Sequence, residues 1–397
     1  MYKSGEIIFK EGDTLRKPFI IVKGEVKLTS TLGYSITAGE SSIIAEWAML
    51  DNKISPESAT ASTTVELADA ESVGFSYELL ERSFDRLTYI NKAFSADLKP
   101  LDTVKGIIKN ATKGSWRFFR DFKKSKYFIA RKQIGEGKCE DAYKNLLQIP
   151  KRFFGEEMDG EIEILKTLCL YFINPKVAAE RYNLIRRNSE RYKKYISFAL
   201  LLETVTKGIE NISDMLNMYL KHGVYIPQKT VLMVEGEIGD DVLFLLSGYV
   251  RVMRYSSGKP VLLTFLGPAE VVGEVSTLGD LPRTATVMVY KPVQALLFSK
   301  KSLKSSLKAN EKFALEILKA SMKRVQNMKK FKEVGSDIEN KIKFLKRKWG
   351  IKELNEMGIN IDELASLLRV DRRTVIDYLS NHKIALIRSD GTIKFKE

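Results

Sequence analysis

The sequence predicts an α+β multidomain chain: two β-rolls, a helical segment between them, and a helix–turn–helix followed by a hairpin at the C-terminal end. Three observations carry this. Short runs of alternating apolar and polar residues, punctuated by glycines, occupy Ile7 to about Ser76 and again Pro227 to Ser299. Between them the apolar period changes to that of helices. From Asn360 onward two short amphipathic stretches flank a tight turn, and a second turn splits two short apolar runs. The expected boundaries are residues 1–95 for the first roll, 96–220 for the helical domain, 221–308 for the second roll, 309–335 for a connecting helix and 336–397 for the C-terminal domain.

Composition narrows the function. The 397 residues exceed one average domain, and 44% apolar content is ordinary for a globular protein. No apolar run approaches a membrane span, and the start, MYKSGEIIFKEG, lacks the apolar core of a signal peptide, so a cytoplasmic chain with no membrane partner is expected. Two cysteines (Cys139, Cys169) and two histidines (His222, His382) provide poorly for haem, iron–sulfur or zinc chemistry, and no metal is expected. Both cysteines sit in helical patterns as buried or partly buried thiols. No nucleophile–base pair or nucleotide-hydrolysis loop is present, so the chain is not expected to be an enzyme. A net charge of +15 favours polyanionic partners. Lysine-rich composition is also common in proteins from hot environments, so charge alone decides little.

The first and second rolls repeat one another. Phe9-Lys10-Glu11-Gly12-Asp13 is similar to Met233-Val234-Glu235-Gly236-Glu237, and Ile20 to Lys27 is similar to Phe244 to Arg251. The offset is 224 residues at Gly12/Gly236 and Gly24/Gly248 and 228 at Gly39/Gly267, which fits a shorter hairpin between Lys27 and Gly39. In the second roll, GEIGDDVLFLLSGYVRVMR reads as a hairpin around a tight Ser247-Gly248 turn.

The segment VVGEVSTLGDLPRTATV (Val271 to Val287) carries the chemistry. Gly273-Glu274 is followed, nine residues after the glutamate, by Arg283 and Thr284. Backbone N–H groups at a helix start (Gly273 to Ser276, through Val275) and a guanidinium can bind a phosphate, while the carboxylate accepts from a ribose hydroxyl. A strand–turn–strand with a surface Glu–Arg pair would also fit this segment alone. Gly273-Glu274, the short apolar turn and Pro282-Arg283-Thr284-Ala285 resemble the phosphate-binding cassette of the cyclic-nucleotide-binding domain, and Gly267 also stands where that family places a glycine. The resemblance implies a cyclic nucleotide as effector, cyclic AMP or cyclic GMP, with Thr284 compatible with the latter.

The first copy departs from this pattern. Ala45-Glu46 replaces Gly273-Glu274, and Pro56-Glu57-Ser58-Ala59 replaces Pro282 to Ala285, with two extra residues before it. A glutamate where the phosphate would sit repels an anion. This roll is expected to bind no cyclic nucleotide and to serve as scaffold or as a surface for another ligand or partner.

Glu81 to Asn110 should form helices closing the first roll. Ser115 to Lys132 interleaves aromatic and basic residues, either to touch nucleic acid or, as favoured here, to pack its aromatics inward and its lysines outward. Tyr127 to Leu147 resembles one tetratricopeptide helix pair, and Glu161–Asn188 and Tyr192–Tyr219 suggest further hairpins. Such stacked helices usually serve protein contacts, RNA polymerase or another protein here, or act as a spacer.

Glu311 to Glu333 reads as one long helix with Leu315, Leu318, Met322 and Val325 at the spacing of a two-helix seam. A lone amphipathic helix on its own domain has the same pattern. In the resembling family this helix is a dimer axis, which implies a homodimer and places Gln326 and Asn327 where the nucleotide base is read.

Next comes NIDELASLLRVDRRTVIDYLSNHKIALIRSDGTIKFKE. Asn360 caps Ile361 to Leu368, Arg369-Val370-Asp371 turns the chain, and Arg372 to His382 forms the second helix. Leu364, Leu367, Leu368, Val370, Val375 and Leu379 hold the pair together, and Asp390-Gly391 turns the hairpin. This is similar to the winged helix-turn-helix of the cyclic AMP receptor protein (Crp–Fnr) family. The resemblance implies double-stranded DNA as partner, Arg372 and Arg373 at base-reading positions, and Asp371 and Thr374 capping the helix and touching phosphate. Asp377 stands where the family often has a base-reading arginine, which implies a different target sequence. The expected protein is a transcription regulator controlled by a small effector. Two alternatives stay open: a tandem nucleotide sensor or scaffold acting through protein partners, similar to kinase regulatory subunits, and a ligand-independent DNA-binding regulator.

Overall fold

The computed structural model describes residues 1–93, 117–256, 259–333 and 337–396. Contacts divide it into two compact units, each described by itself: Met1–Leu98 with Glu274–Thr284 and Lys300–Glu397, and Lys99–Gly273 with Ala285–Ser299.

In the first unit, short alternating strands make a roll of two sheets. Strands β1 (Ile7–Phe9), β2 (Phe19–Lys23), β3 (Val26–Ser30), β4 (Tyr34–Ala38), β5 (Ile43–Ile44), β6 (Ser58–Ala61) and β7 (Glu66–Asp69) are ordered β4–β3–β6–β1 and β5–β2–β7. Ile21, Val26, Leu28, Ile43, Ile44, Trp47 and Val65 fill the interior, all fully or nearly fully buried. Helices α1 (Ala70–Val73) and α2 (Tyr77–Ala93) follow. The rest of the predicted Glu81–Asn110 helical stretch lies outside the described residues.

The second unit begins with β8 (Arg117–Phe118) and the helices α3 (Phe119–Phe122), α4 (Lys126–Gly135), α5 (Cys139–Leu147), α6 (Glu156–Ile173), α7 (Pro175–Arg187), α8 (Ser189–Tyr192), α9 (Ile196–Lys207) and α10 (Asp214–His222). Of the aromatic–basic stripe, Phe119, Phe122 and Tyr127 are buried while Arg120, Lys124 and Lys132 are exposed, so the aromatics face inward; Ser115 and Trp116 lie outside the described residues. Cys139 is half-buried and Cys169 buried.

These helices are fastened to the second roll's strands. The strands are β9 (Gly223–Ile226), β10 (Thr230–Met233), β11 (Asp241–Ser256), β12 (Lys259–Leu266), β13 (Val271–Val272) and β14 (Thr286–Ser299), ordered β12–β11–β14–β10–β8 with β13 on β11 and β9 on β14. Buried Gln294 on β14 donates to Lys194 O (2.7 Å) and accepts from the Ile196 N–H (2.5 Å). Buried Arg131 donates to Tyr219 O (2.6 Å) and Leu220 O (3.1 Å).

The two rolls share one topology. β4–β3–β6–β1 matches β12–β11–β14–β10, and β5–β2–β7 matches β13–β11–β14. Long β11 and β14 each do the work of two strands in the first roll. Ser247-Gly248 is no hairpin turn but a bulge inside the continuous strand β11, where the register against β14 shifts at Ser247 and Tyr249. The physical reason is close approach. At Gly248 (φ +80°) a Cβ would lie 2.0 Å from Pro292 O. Its counterpart Gly24 (φ +93°) would put a Cβ 2.3 Å from Thr64 O.

After the second roll's strands the chain returns to the first unit. There lie α11 (Glu274–Leu278), α12 (Lys300–Ala309), α13 (Glu311–Glu333), α14 (Ile338–Met357, broken at Gly350), α15 (Ile361–Leu368) and α16 (Arg372–Asn381), then the hairpin β15 (Ala385–Ile387) and β16 (Ile393–Phe395). The long helix forms as expected, but its apolar face is covered within the chain. Of the predicted seam, Leu318, Met322 and Val325 are fully buried, with Ala314 and Ile317 beside them, while Leu315 is only partly buried; α13 packs against α2.

Candidate functional site

The cassette residues Glu274 to Thr284 lie in the first unit with α13. Glu274 opens α11 and is 2% exposed. Its Oε1 pairs with Arg324 Nη1 at 2.8 Å and lies 3.3 Å from Ser321 Oγ, both on α13. Its Oε2 is buried without a hydrogen-bond partner among the described residues. Arg283, 4% exposed, donates from Nη1 to Ser276 Oγ (2.9 Å) and Thr277 Oγ1 (3.0 Å). A buried guanidinium beside two hydroxyls, and a buried carboxylate with an open acceptor, form a set able to take a phosphate and a sugar hydroxyl.

The other predicted ligand residues are placed as follows. Gly273 adopts φ +90°, a conformation natural only to glycine, and Val275 and Thr284 are partly buried. Asn327 is half-buried on α13. Gln326 is occupied elsewhere: its amide donates to Asn52 O (2.9 Å) and Ile54 O (2.7 Å) of the first roll. Sequence reasoning missed Arg324, Ser321 and Thr277. Arg324 lies in the predicted Glu311–Glu333 helix, where only the apolar seam positions, Gln326 and Asn327 carry a sequence signal.

The first copy of the cassette is filled by its own side chains. Glu46 and Glu57 are fully buried, and Arg86 of α2 comes between them, ion-paired to Glu46 and 3.6 Å from Glu57 Oε1. Arg86 Nη1 also donates to Ile43 O at 2.9 Å. Tyr34 Oη (2.9 Å) and Trp47 Nε1 (2.9 Å) donate to Glu57. Burial draws the Arg86 guanidinium down to about 10, and burial together with Glu57 pushes the Tyr34 phenol well up. Ala45 keeps the left-handed backbone (φ +57°) that Gly273 adopts in the second copy, at a cost of about 1–2 kcal/mol for a side chain. The fold is retained here while Arg86 sets a positive charge between the two buried carboxylates, and Glu57 accepts from Tyr34 and Trp47.

At the C-terminal end, Asn360 and Glu363 form a reciprocal capping box that starts α15. Arg369, at φ +53°, turns the chain into α16. Asp371 caps α16, accepting from Thr374 N at 3.0 Å and from the Thr374 hydroxyl, and these bonds hold its carboxyl below the usual carboxylate range. Leu364, Leu367, Leu368, Val375 and Leu379 are buried between the helices, with Val370 partly so. Arg372 and Arg373 stay exposed at the start of α16. Arg372 Nη1 lies 3.3 Å from Asp362 Oδ1, and Arg373 Nε lies 4.0 Å from Asp377 Oδ2. Among the described residues no helix is long and apolar enough to cross a membrane, and no cluster of three or more metal-ligating side chains occurs.

Comparison with known proteins agrees with the duplicated roll. The cyclic nucleotide-binding domain family matches residues 1–79 and 224–310. A CRP-like cAMP-activated global transcriptional regulator of Mycobacterium tuberculosis is 25% identical over 163 residues, covering 38% of this chain and 73% of that protein. The potassium channel AKT2 of Oryza sativa subsp. japonica is 33% identical over 119 residues, 30% of this chain but only 14% of the channel. Among solved structures, the c-di-GMP responsive global regulator CLP of Xanthomonas campestris aligns with 44% of this chain and 94% of its own, at 16% identity and a TM-score of 0.37.

Proposed function

We propose that this chain, which carries two domains of the cyclic nucleotide-binding family and is related to CRP-like regulators, is a DNA-binding transcription regulator whose second cassette takes a cyclic nucleotide. The observation that carries this reading is that one segment holds both a buried carboxylate, Glu274, and a buried guanidinium, Arg283, where the first copy has two buried carboxylates, Glu46 and Glu57. The Glu274 oxygen buried without a donor among the described residues can accept from a ribose hydroxyl. Arg283, with Ser276 and Thr277, supplies the phosphate side of the same ligand. Gly273, Val275 and Thr284 complete the turn, and Asn327 stands on the helix that reads the base. Gln326 supports the first roll's loop instead.

The coupling runs through Arg324. Because it pairs with Glu274, any ligand contact at that carboxylate alters the hold on α13, and α13 leads to α14–β16. The ligand shifts the DNA-competent population only by its differential affinity for that state. At the output end α16 enters the major groove, β15–β16 forms the wing, and Arg372 and Arg373 exchange their carboxylate partners for guanine edges. Asp371 and Thr374 hold the helix start against phosphate, while Asp377 restrains Arg373 and narrows the sequence read. The helices α4–α10 offer a surface to RNA polymerase or another protein.

Calorimetry with cyclic AMP and cyclic GMP on the wild type and on Arg283→Leu tests the ligand. Binding to the wild type, lost in the variant, is expected. No heat with either nucleotide at millimolar concentration would make the cassette vestigial. Gel shift against random-sequence DNA tests the output, and the absence of sequence-selective binding with or without nucleotide would favour a sensor acting through protein partners.

A further inference from the structure

A second copy of the chain is the partner expected for the apolar face of α13, but that face is already covered by the chain's own first repeat. The internal duplication extends beyond the strands. In each repeat the cassette glutamate is held by an arginine from the helix that follows: Glu46 by Arg86 of α2, and Glu274 by Arg324 of α13. The two helices that bear these arginines pack against each other, and α11 packs on α2 as well. Leu80, Leu87 and Ile90 of α2 are buried, as are Ala314, Ile317, Leu318, Met322 and Val325 of α13.

Polar contacts fix the same pairing. Lys304 Nζ lies 3.2 Å from Glu81 Oε1, joining α12 to α2. The Gln326 amide caps two carbonyls of the Asn52–Ile54 loop, a contact between repeats 274 and 272 residues apart in sequence. Duplicated elements that carry the same ion pair and pack together are related as two copies in a dimer would be, joined here in one chain.

We infer that α2 is the resident partner of α13, so that the first repeat stands in for a second protomer and one chain is the complete pairing unit. The role of the silent first cassette follows. It no longer holds a ligand; it presents a rigid α2, anchored by Arg86 between Glu46 and Glu57, for α13 to pair with. Each such unit carries one Arg372–Asn381 helix instead of two. The inference holds whether or not the second cassette takes a nucleotide.

Zero-length carbodiimide cross-linking of the full-length chain tests it. The reagent activates the Glu81 carboxyl, the Lys304 amine displaces the isourea, and an amide forms with net loss of one water. Wild type should yield the 81–304 cross-link by peptide mass mapping, with the exposed Lys207–Glu203 pair at 2.9 Å as a reactivity control. Co-expressed E81Q and K304Q chains, each lacking one partner, should yield none. Both substitutions lie on partly exposed side chains and leave the core intact. A cross-link between the two variant chains would show pairing between copies and overturn the inference. Failure of the wild type to form it while the control pair reacts would overturn it equally.

Discussion

Arg324 holds Glu274 at 2.8 Å, the relation that Arg86 keeps with Glu46 one repeat earlier. The glutamate in the second copy is 2% exposed and the arginine side chain 21%, so the pair is largely but not wholly removed from water. Removing one partner strands the other charge. Arg324→Met should destabilise the first unit by about 2 kcal/mol, below the range for a fully buried pair because Arg324 keeps some solvent. Glu274→Gln added to Arg324→Met should recover part of that loss, giving a coupling of about 1–2 kcal/mol in denaturant unfolding. Additive effects would show that the pair contributes nothing.

The first cassette makes a stricter prediction. Glu57→Arg restores the residue type that stands at Arg283 in the second copy, yet it should create no nucleotide site. Arg86 already occupies the space between Glu46 and Glu57, and a second guanidinium would have to share with it the single carboxylate of Glu46. Calorimetry with cyclic nucleotides should register no binding to this roll when Arg283→Leu silences the other. Arg86→Met should cost about 3–5 kcal/mol by leaving two buried carboxylates unpaired. Binding by the Glu57→Arg, Arg283→Leu double variant would show the first cassette to be merely switched off rather than filled.

Much of this was legible in the sequence, and what was not has physical reasons. The repeat, the Glu274–Arg283 cassette and the Asn360–Phe395 motif are local patterns set by turns, caps and periodicity. Arg86 and Arg324 were not visible as partners because each meets its glutamate from a helix far along the chain, and an exposed-looking basic run gives no sign of which member turns inward. The period of α13 disclosed an apolar face but not what covers it, since a face for α2 and a face for a second copy have the same spacing. Ser247-Gly248 looked like a turn because glycine at positive φ serves turns and bulges alike.

That bulge can be tested directly. Gly248→Ala must place a methyl 2.0 Å from Pro292 O at φ +80°, so backbone strain and collision add. Gly137 in the same unit has φ +76° with nothing within 4 Å, so Gly137→Ala bears the backbone term alone, about 1–2 kcal/mol. Gly248→Ala should therefore lower the thermal midpoint more than Gly137→Ala does. Equal effects would mean that β11 and β14 can separate freely at the bulge.

The second unit should also weaken as pH falls through the histidine range. His222 ends α10 with its ring 4.6 Å from that of Phe298. Burial, aided by neighbouring Lys221, lowers its pKa below the usual 6.5, and only a hydrogen bond with the Leu297 backbone opposes this. The unfolded chain then binds more protons than the folded one between the two values. Stability contributed by the neutral ring is present above about 6.5 and is lost as pH falls through the lower folded value. Buried Glu161 works with the opposite sign, because burial raises its carboxyl pKa and protonation relieves the cost. The informative comparison is therefore His222→Phe, which keeps an aromatic ring against Phe298 but cannot titrate. Thermal midpoints from pH 7.5 to 5 should fall for the wild type and fall less for the variant. Parallel curves would show that His222 takes its proton without disturbing the unit.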